Sequence, residues 1–243
     1  MNRPFYLFSG IIGSFAISCY ALVLVPQTQI GDLQPQFGDD EGKIVDIYPI
    51  DNYGGVKAGR AVYASEGCVY CHSQQVRDEQ NGSDIARGWG VRRTVARDYI
   101  FENPPLLGST RLGPDLTNIG SPAWRDESKD EDPNFKPPKR DAAWQLLHLY
   151  APRTIMRDSG MPPYRYLFEK RKISGQRSDE ALNLTGDDAP EPGWEIVPKP
   201  EAKALVSYLL SLDRSHPLNE VKSAAPAPAA TPVPAAAPAP SAK

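Results

Sequence analysis

Residues 66–74 read Glu66-Gly67-Cys68-Val69-Tyr70-Cys71-His72-Ser73-Gln74, and the segment from Cys68 to His72 decides how the rest of the chain is read. On a helical turn, positions i, i+3 and i+4 share a face, so this spacing presents two thiols and an imidazole together. That is the attachment sequence of a c-type haem, in which the thiols form thioethers to the vinyl groups and the imidazole points at iron. A thioredoxin-like disulfide would need a surrounding strand and helix pattern, and a zinc site would need two more thiol or imidazole ligands at close spacing. The sequence supplies neither. With Cys19, Cys68 and Cys71 the only cysteines, a disulfide framework is excluded as well, and because the motif occurs once the expectation is one covalent haem c.

Outward from the motif, helical patterning dominates. Val56 to Glu66 has helical character and runs directly into the cysteine pair. Asp141 opens a second helix as an N-cap, with Trp144, Leu147, His148 and Ala151 at i, i+3, i+4, i+7 and Pro152 as its stop. Pro200 and Glu201 suit the first turn of a third, with Leu205, Tyr208, Leu209 and Leu212 on one face. Long connections rich in Pro and charge, Ser121 to Arg140 and Glu169 to Lys199, lie between. No strand pair with alternating pattern and turn chemistry is expected. The fold class read from this pattern is mostly α, with long loops.

Phe5 to Val25 carries no charged side chain, and its 21 residues at about 1.5 Å each give roughly 32 Å of helix, enough to cross a bilayer core of roughly 30 Å. An uncleaved anchor is expected in preference to a signal peptide, whose apolar region is shorter and is followed by small residues, where this run ends in Val25-Pro26-Gln27. Cys19 reads as a small apolar residue of the span, since the lipoprotein-like Ala16-Ile17-Ser18-Cys19 lacks the usual Leu. Arg3 before the span and Asp32, Asp39, Asp40 and Glu41 after it place the bulk of the chain outside the cytoplasm. The expected organisation is an anchor over 1–26, a stalk over 27–50, a haem domain over 51–215 and an Ala/Pro-rich disordered tail over 216–243. A net charge of −3 and a pI of about 5.7 argue against a nucleic-acid partner.

An electron carrier closes its iron with a sixth ligand, and His148, His216, Met156 and Met161 are the available groups. Met161 is the preferred one: Ser159-Gly160-Met161-Pro162-Pro163-Tyr164 presents a flexible thioether from a loop stiffened by proline. Met156 reads as a core residue. A thioether favours ferrous iron and raises the potential, which suits a relay.

Together these residues resemble a class I-type cytochrome c domain: Gly59 and Tyr63 before the cysteines, Gly113-Pro114-Asp115-Leu116 after them, Met161-Pro162 later, and Ala204 to Leu209 at the close. More narrowly, the chain is similar to the membrane-anchored monohaem subunit II of cbb3-type cytochrome c oxidases. That likeness is carried by residues 66–74, Arg77, Arg111 to Leu116, His148-Leu149-Tyr150-Ala151-Pro152-Arg153 and Met161 to Tyr164. It implies that the Pro114 carbonyl accepts from the ring of the proximal His72. It also implies a place on the periplasmic side of a bacterial inner membrane, and partners that include a haem-copper catalytic subunit, other cytochrome subunits and a soluble c-type cytochrome donor. By itself such a chain catalyses nothing. The rival readings are the cytochrome subunit of a nitric oxide reductase or another respiratory complex, and a five-coordinate haem sensor or enzyme if Met161 does not bind.

Arg111 is a candidate partner for a haem propionate, set against a solvated loop arginine. His148 reads as a partly buried packing residue of its helix, with a hydrogen bond near the haem as its alternative. Arg87, Arg92, Arg93 and Arg97 around Trp89, and the acidic run Asp126, Glu127, Asp130, Glu131 and Asp132, read as solvated faces, with partner docking and steering as their alternatives.

Overall fold

The computed structural model describes residues 3–40, 43–122 and 140–221. The amino-terminal run forms one continuous helix, α1 (Arg3–Ile30), long and apolar enough to cross a membrane. Its large apolar side chains, among them Phe5, Ile12, Phe15 and Leu22, are exposed. The helix does not end at Pro26. Between Tyr20 and Leu24 it widens, with the Val25 N–H donating to the Tyr20 carbonyl. A wider turn lets a helix carry a proline, which has no N–H to donate and whose ring crowds the carbonyl four residues back.

Two antiparallel strands follow, β1 (Gln36–Asp40) and β2 (Lys43–Tyr48), with Gln36 opposite Tyr48 and a bulge at Gly38/Asp39. They correct the expectation of an irregular stalk and of a chain without strand pairs. The bulge shifts the register within β1, which breaks the alternation by which a strand is recognised. The Tyr48 hydroxyl donates to the Asp98 carboxylate at 2.7 Å in a buried contact. Asp98 also accepts from the Val95 N–H at 2.8 Å. Residues up to Asp51 thus form one unit with Val95–Pro105.

The second unit comprises Asn52–Thr94 and the chain from Leu106. It holds the expected helices as α2 (Gly55–Ser65), α3 (Ala142–Tyr150) and α5 (Pro200–Ser211), together with a short α4 (Pro152–Ile155). Asp141 caps α3, its carboxylate accepting from the Trp144 N–H at 3.0 Å. Pro152 both ends α3 and starts α4, where its missing N–H is not needed. The apolar face of α5 (Leu205, Tyr208, Leu209, with Leu212 just beyond) is buried with Tyr63 of α2 and Leu149 of α3 in one core.

The 169–199 connection is also more ordered than expected. β3 (Phe168–Lys172) pairs antiparallel with β4 (Trp194–Pro198). β4 lies inward, with Ile196 and Val197 buried, and the Leu182 N–H donates to the Ile196 carbonyl at 2.9 Å. Residues 173–193 separate the two strands, so no short turn signal announces the pair. The segment expected as tail from 216 begins in ordered structure: Leu218 is buried and pairs with Val221. The acidic run 126–132 and the Ala/Pro segment beyond 221 lie outside the described residues.

α2 and α5 meet at Gly59. A Cβ there would stand 1.8 Å from the Ala204 carbonyl oxygen and 2.8 Å from the Tyr208 Cβ. The obstacle is backbone, which cannot swing aside, so Gly59→Val is expected to cost about 3 kcal/mol or more and to lower Tm by roughly 6–12 °C in thermal unfolding. Gly55→Ala, at a position with open space around it, serves as the control and is expected to leave Tm unchanged.

Candidate functional site

The cysteine pair sits on a single tight turn, Cys68–Tyr70, entered through Gly67 at φ +72°. The Cys71 and His72 N–H groups both donate to the Cys68 carbonyl, at 3.1 and 3.0 Å. This turn follows directly on α2, so the crossing at Gly59 fixes where the motif stands. Cys68 and Cys71 are free thiols, each half-buried. Burial pushes the Cys68 thiol up to about 11, with smaller contributions of the same sign from Glu66 and Cys71, so the sulfur stays protonated at neutral pH.

His72 is fixed from the opposite strand of chain. Its Nδ1 lies 2.8 Å from the Pro114 carbonyl oxygen, the contact implied by the cytochrome c resemblance. With Nδ1 bonded to a carbonyl it carries the proton, which leaves Nε2 with a lone pair. Burial lowers the His72 pKa below the ordinary value, against the pull of Pro114 and Asp115, so the ring is neutral. Gly113 lies against the imidazole: a Cβ there would come within 2.2 Å of its Cε1. Gly108, at φ +73°, passes as closely over the backbone of His72, and a Cβ would meet its carbonyl oxygen at 2.4 Å.

The loop holding Pro114 is tied to the motif bond by bond. The Gly113 N–H donates to the Cys71 carbonyl at 3.0 Å, that of Leu116 to Ser73 at 2.8 Å and that of Gln74 to Leu107 at 2.8 Å. Asp115, buried, accepts from the Ser73 hydroxyl at 2.6 Å, the Gln75 N–H at 2.9 Å and the Thr117 N–H at 2.8 Å. Gln74, fully buried, shares a hydrogen bond of 3.0 Å with the Tyr208 hydroxyl on α5. The motif is thereby clamped between the 106–118 loop and the carboxyl-terminal helix.

Arg111 belongs to this clamp. Its Nε donates to the Ser73 hydroxyl at 2.8 Å, one terminal nitrogen to Asp84 at 2.8 Å and the other to the Gln75 carbonyl at 2.6 Å. It is therefore held by protein partners and is not a solvated loop residue. Asp84, with no exposed surface, also accepts from the Arg77 N–H at 2.8 Å and from its guanidinium at 3.2 and 3.0 Å. Arg87 and Arg111 both lie over the Trp89 ring, at 5.0 and 5.4 Å. The expected solvated basic face does not exist as one surface: Arg92 is buried, donating to the His216 carbonyl at 2.7 Å, while Arg93 is exposed. A guanidinium that finds carbonyl acceptors inside a fold is satisfied there, and composition does not reveal it.

The two methionines differ in surroundings. Met161 is half-buried and packs against the core, as do Cys68 and Tyr164. Its loop is tied to α3, the Tyr164 N–H donating to the Leu149 carbonyl at 2.8 Å, and the Met161 N–H donates to the Ser159 hydroxyl at 3.2 Å. Met156, expected in the core, is 62% exposed instead, because it follows the last turn of α4. His148 is half-buried on α3 and stacks on Trp144 with ring centroids 4.8 Å apart and planes 14° from parallel.

These residues fit a haem. Two free thiols stand on one turn, a neutral imidazole is oriented through one nitrogen only, and a glycine lies flat against that ring where any side chain would intrude. The roles of Asp84, Ser73 and Gly108 escape sequence reading, because each acts through partners far along the chain. Asp115 was visible only as part of a four-residue block. Among the described residues no group of three or more His, Cys, Asp or Glu side chains is arranged to hold a metal ion by itself.

Burial alone would raise the Asp84 pKa, but the hydrogen bonds from Arg77 and Arg111 outweigh it and hold the carboxyl below its ordinary 3.8. Stability from a depressed carboxyl is present above the unfolded-state pKa and is lost as pH falls through the folded one. Asp84→Asn is therefore expected to lose about 3 kcal/mol in urea unfolding at neutral pH. The gap to the unsubstituted protein should be constant down to about pH 5 and should close below about pH 4. A gap that is the same at all pH values would exclude the ion pair as its source.

The family model described as cytochrome C oxidase, mono-heme subunit/FixO matches residues 13–190 of the chain. The match begins within α1 and runs through the motif, the 106–118 loop, α3 and Met161. Comparison with curated proteins gave no match.

Proposed function

The chain belongs to the mono-haem subunit family of cytochrome c oxidases, and from that premise we propose that it carries one covalent haem c on Cys68 and Cys71 and relays electrons to the haem-copper subunit of a cbb3-type oxidase. The observation that carries this reading is the placement of two free thiols and an imidazole on one turn, with His72 Nδ1 turned to the Pro114 carbonyl at 2.8 Å. Cys68 and Cys71 would hold the haem through thioethers, each thiol adding its sulfur and its proton across one vinyl group, which needs no external oxidant. His72 would hold the iron through Nε2, and its hydrogen bond to Pro114 would make that nitrogen a better donor. Met161 would hold the iron through its thioether, a ligand that favours the ferrous state and raises the potential. Each terminal nitrogen of Arg111 has a further N–H with which to meet a propionate. The haem provides a one-electron iron couple, and the protein provides its orientation, its ligands and its shielding from water.

The helix α1 makes this a membrane-anchored chain, and the single positive flank at Arg3 supports placing the haem domain on the periplasmic side. Attachment outside the cytoplasm, the acidic residues after the span and a family whose members serve an oxidase all support the same orientation. The partners on this reading are the haem-copper catalytic subunit, companion cytochrome subunits and a soluble c-type donor.

Haem-stained denaturing gels of membranes are expected to show a band for this chain that is lost in the Cys68→Ser, Cys71→Ser double variant. Purification from membranes is expected to bring with it a polytopic subunit containing copper and high-spin haem. The oxidised protein is expected to show a sulfur-to-iron absorption band that disappears in Met161→Ala and persists in Met156→Ala. A wild-type protein that binds carbon monoxide readily would overturn the relay, and alkaline-phosphatase fusions inactive at residue 220 would overturn the topology.

A further inference from the structure

α3 carries a feature that the ligands and attachment residues do not use. The indole Nε1 of Trp144 and the Nδ1 of His148 are both fully buried and have no hydrogen-bond partner among the described residues. They are four residues apart, so they lie on one face of the helix, and their rings stack nearly parallel at 4.8 Å. A buried N–H without a partner costs about 1–3 kcal/mol; the Trp144 indole N–H has none among the described residues, and the same holds for His148 Nδ1 in the tautomer that carries its proton there. The pair is close to the haem-binding turn: His148 feels the charge of His72, and the carbonyl of the adjacent Leu149 anchors the Met161 loop through the Tyr164 N–H.

The chemistry of the pair selects the acceptor. Trp Nε1 only donates, and a neutral imidazole donates from one nitrogen. Burial first, then the charges of His72 and Arg140, push the His148 pKa down to about 4, so the ring is neutral at physiological pH. The Arg140 guanidinium lies over the Trp144 ring at 5.5 Å and adds positive charge to the same neighbourhood. Two N–H donors near a cation suit a carboxylate, which accepts at two oxygens. Resting on the haem reading above, we propose that Trp144 Nε1 and His148 Nδ1 form a paired donor site for one haem propionate. They are positioning residues: they hold the edge of the haem and its charge, while His72 and Met161 hold the iron.

The test uses the full-length membrane protein as purified. Redox-difference infrared spectra, with the haem carboxylates assigned by carbon-13 labelling of the propionates, are compared for wild type, Trp144→Phe, His148→Leu and His148→Asn. Trp144→Phe keeps an aromatic ring and removes the N–H. His148→Asn restores a donor near the Nδ1 position that His148→Leu removes. The expected result is a shift of one propionate band in Trp144→Phe and in His148→Leu, recovered in His148→Asn, with haem staining and the sulfur-to-iron band intact throughout. Unmoved propionate bands in proteins that keep both of those signals would overturn the donor site and leave the haem reading standing. Loss of haem staining from the wild type would instead remove the haem reading and this site with it. Should either donor-deleting variant fail to accumulate, the wild type decides: an indole N–H resonance that shows dipolar coupling to carbon-13 placed in the propionate carboxyls supports the site, and one that exchanges freely with solvent overturns it.

Discussion

The constraint on which the site depends is the approach of residues 113–115 to the turn that carries Cys68 and His72. Gly113 has to lie flat against the His72 ring before Pro114 can offer its carbonyl to Nδ1, and Asp115 has to be buried behind it to tie Ser73, Gln75 and Thr117 together. These are three different physical demands on three consecutive residues: no side chain, no competing N–H, and a carboxylate with several donors. Each fails if its neighbour fails. A side chain at 113 would push the imidazole away from the Pro114 carbonyl. Without the Asp115 carboxylate, the backbone after His72 would have buried donors with no acceptor. The imidazole is thus oriented by backbone and by a buried anion, which do not change rotamer.

The support extends into the core. Gln74 reaches Tyr208 on α5, and α5 is held against α2 by the Gly59 contact, so the carboxyl-terminal helix stabilises both sides of the motif. On the far side, the Arg77, Asp84 and Arg111 network closes the loop after the motif. Removing one member would leave opposite charge buried without compensation, which is why such networks stand or fall as a unit. The Met161 loop is attached through Leu149, so the two segments that bracket the candidate haem site are carried by separate helices of the same core.

The parts of this arrangement that were readable in the sequence are those with short-range grammar. The Cys68 to His72 spacing, the Asp141 cap, the apolar faces of α3 and α5 and the exposed apolar α1 all depend on neighbours within a turn or two. The structure therefore has the expected helices in the expected places. β3 and β4 were not readable because their partners lie far apart in sequence, and β1 because a bulge interrupts its alternation. Arg92 and Met156 were misplaced for a related reason. Charge sends Arg to the surface on average and apolarity sends Met inside, but the acceptor at His216 and the end of α4 reverse both. Asp84 shows the limit most plainly, since nothing in a loop aspartate announces that two arginines will converge on it.

The polar groups of α3 bear on why a helix so apolar elsewhere keeps a tryptophan and a histidine on one face. Leu149 satisfies the core and Asp141 satisfies the helix end, so neither packing nor capping requires N–H groups at Trp144 and His148. A phenylalanine and a leucine would fill similar space without burying donors, and on packing alone they would be preferred. Retaining two unpartnered N–H groups next to the attachment turn makes physical sense where the acceptor arrives with another molecule. On that account the haem-free fold carries a penalty of about 1–3 kcal/mol per group, and the same groups turn into binding energy once a carboxylate is supplied. On the haem reading the site and the stability of the domain are coupled: a cofactor held by Cys68 and Cys71 would bring the carboxylate that the buried nitrogens of Trp144 and His148 lack.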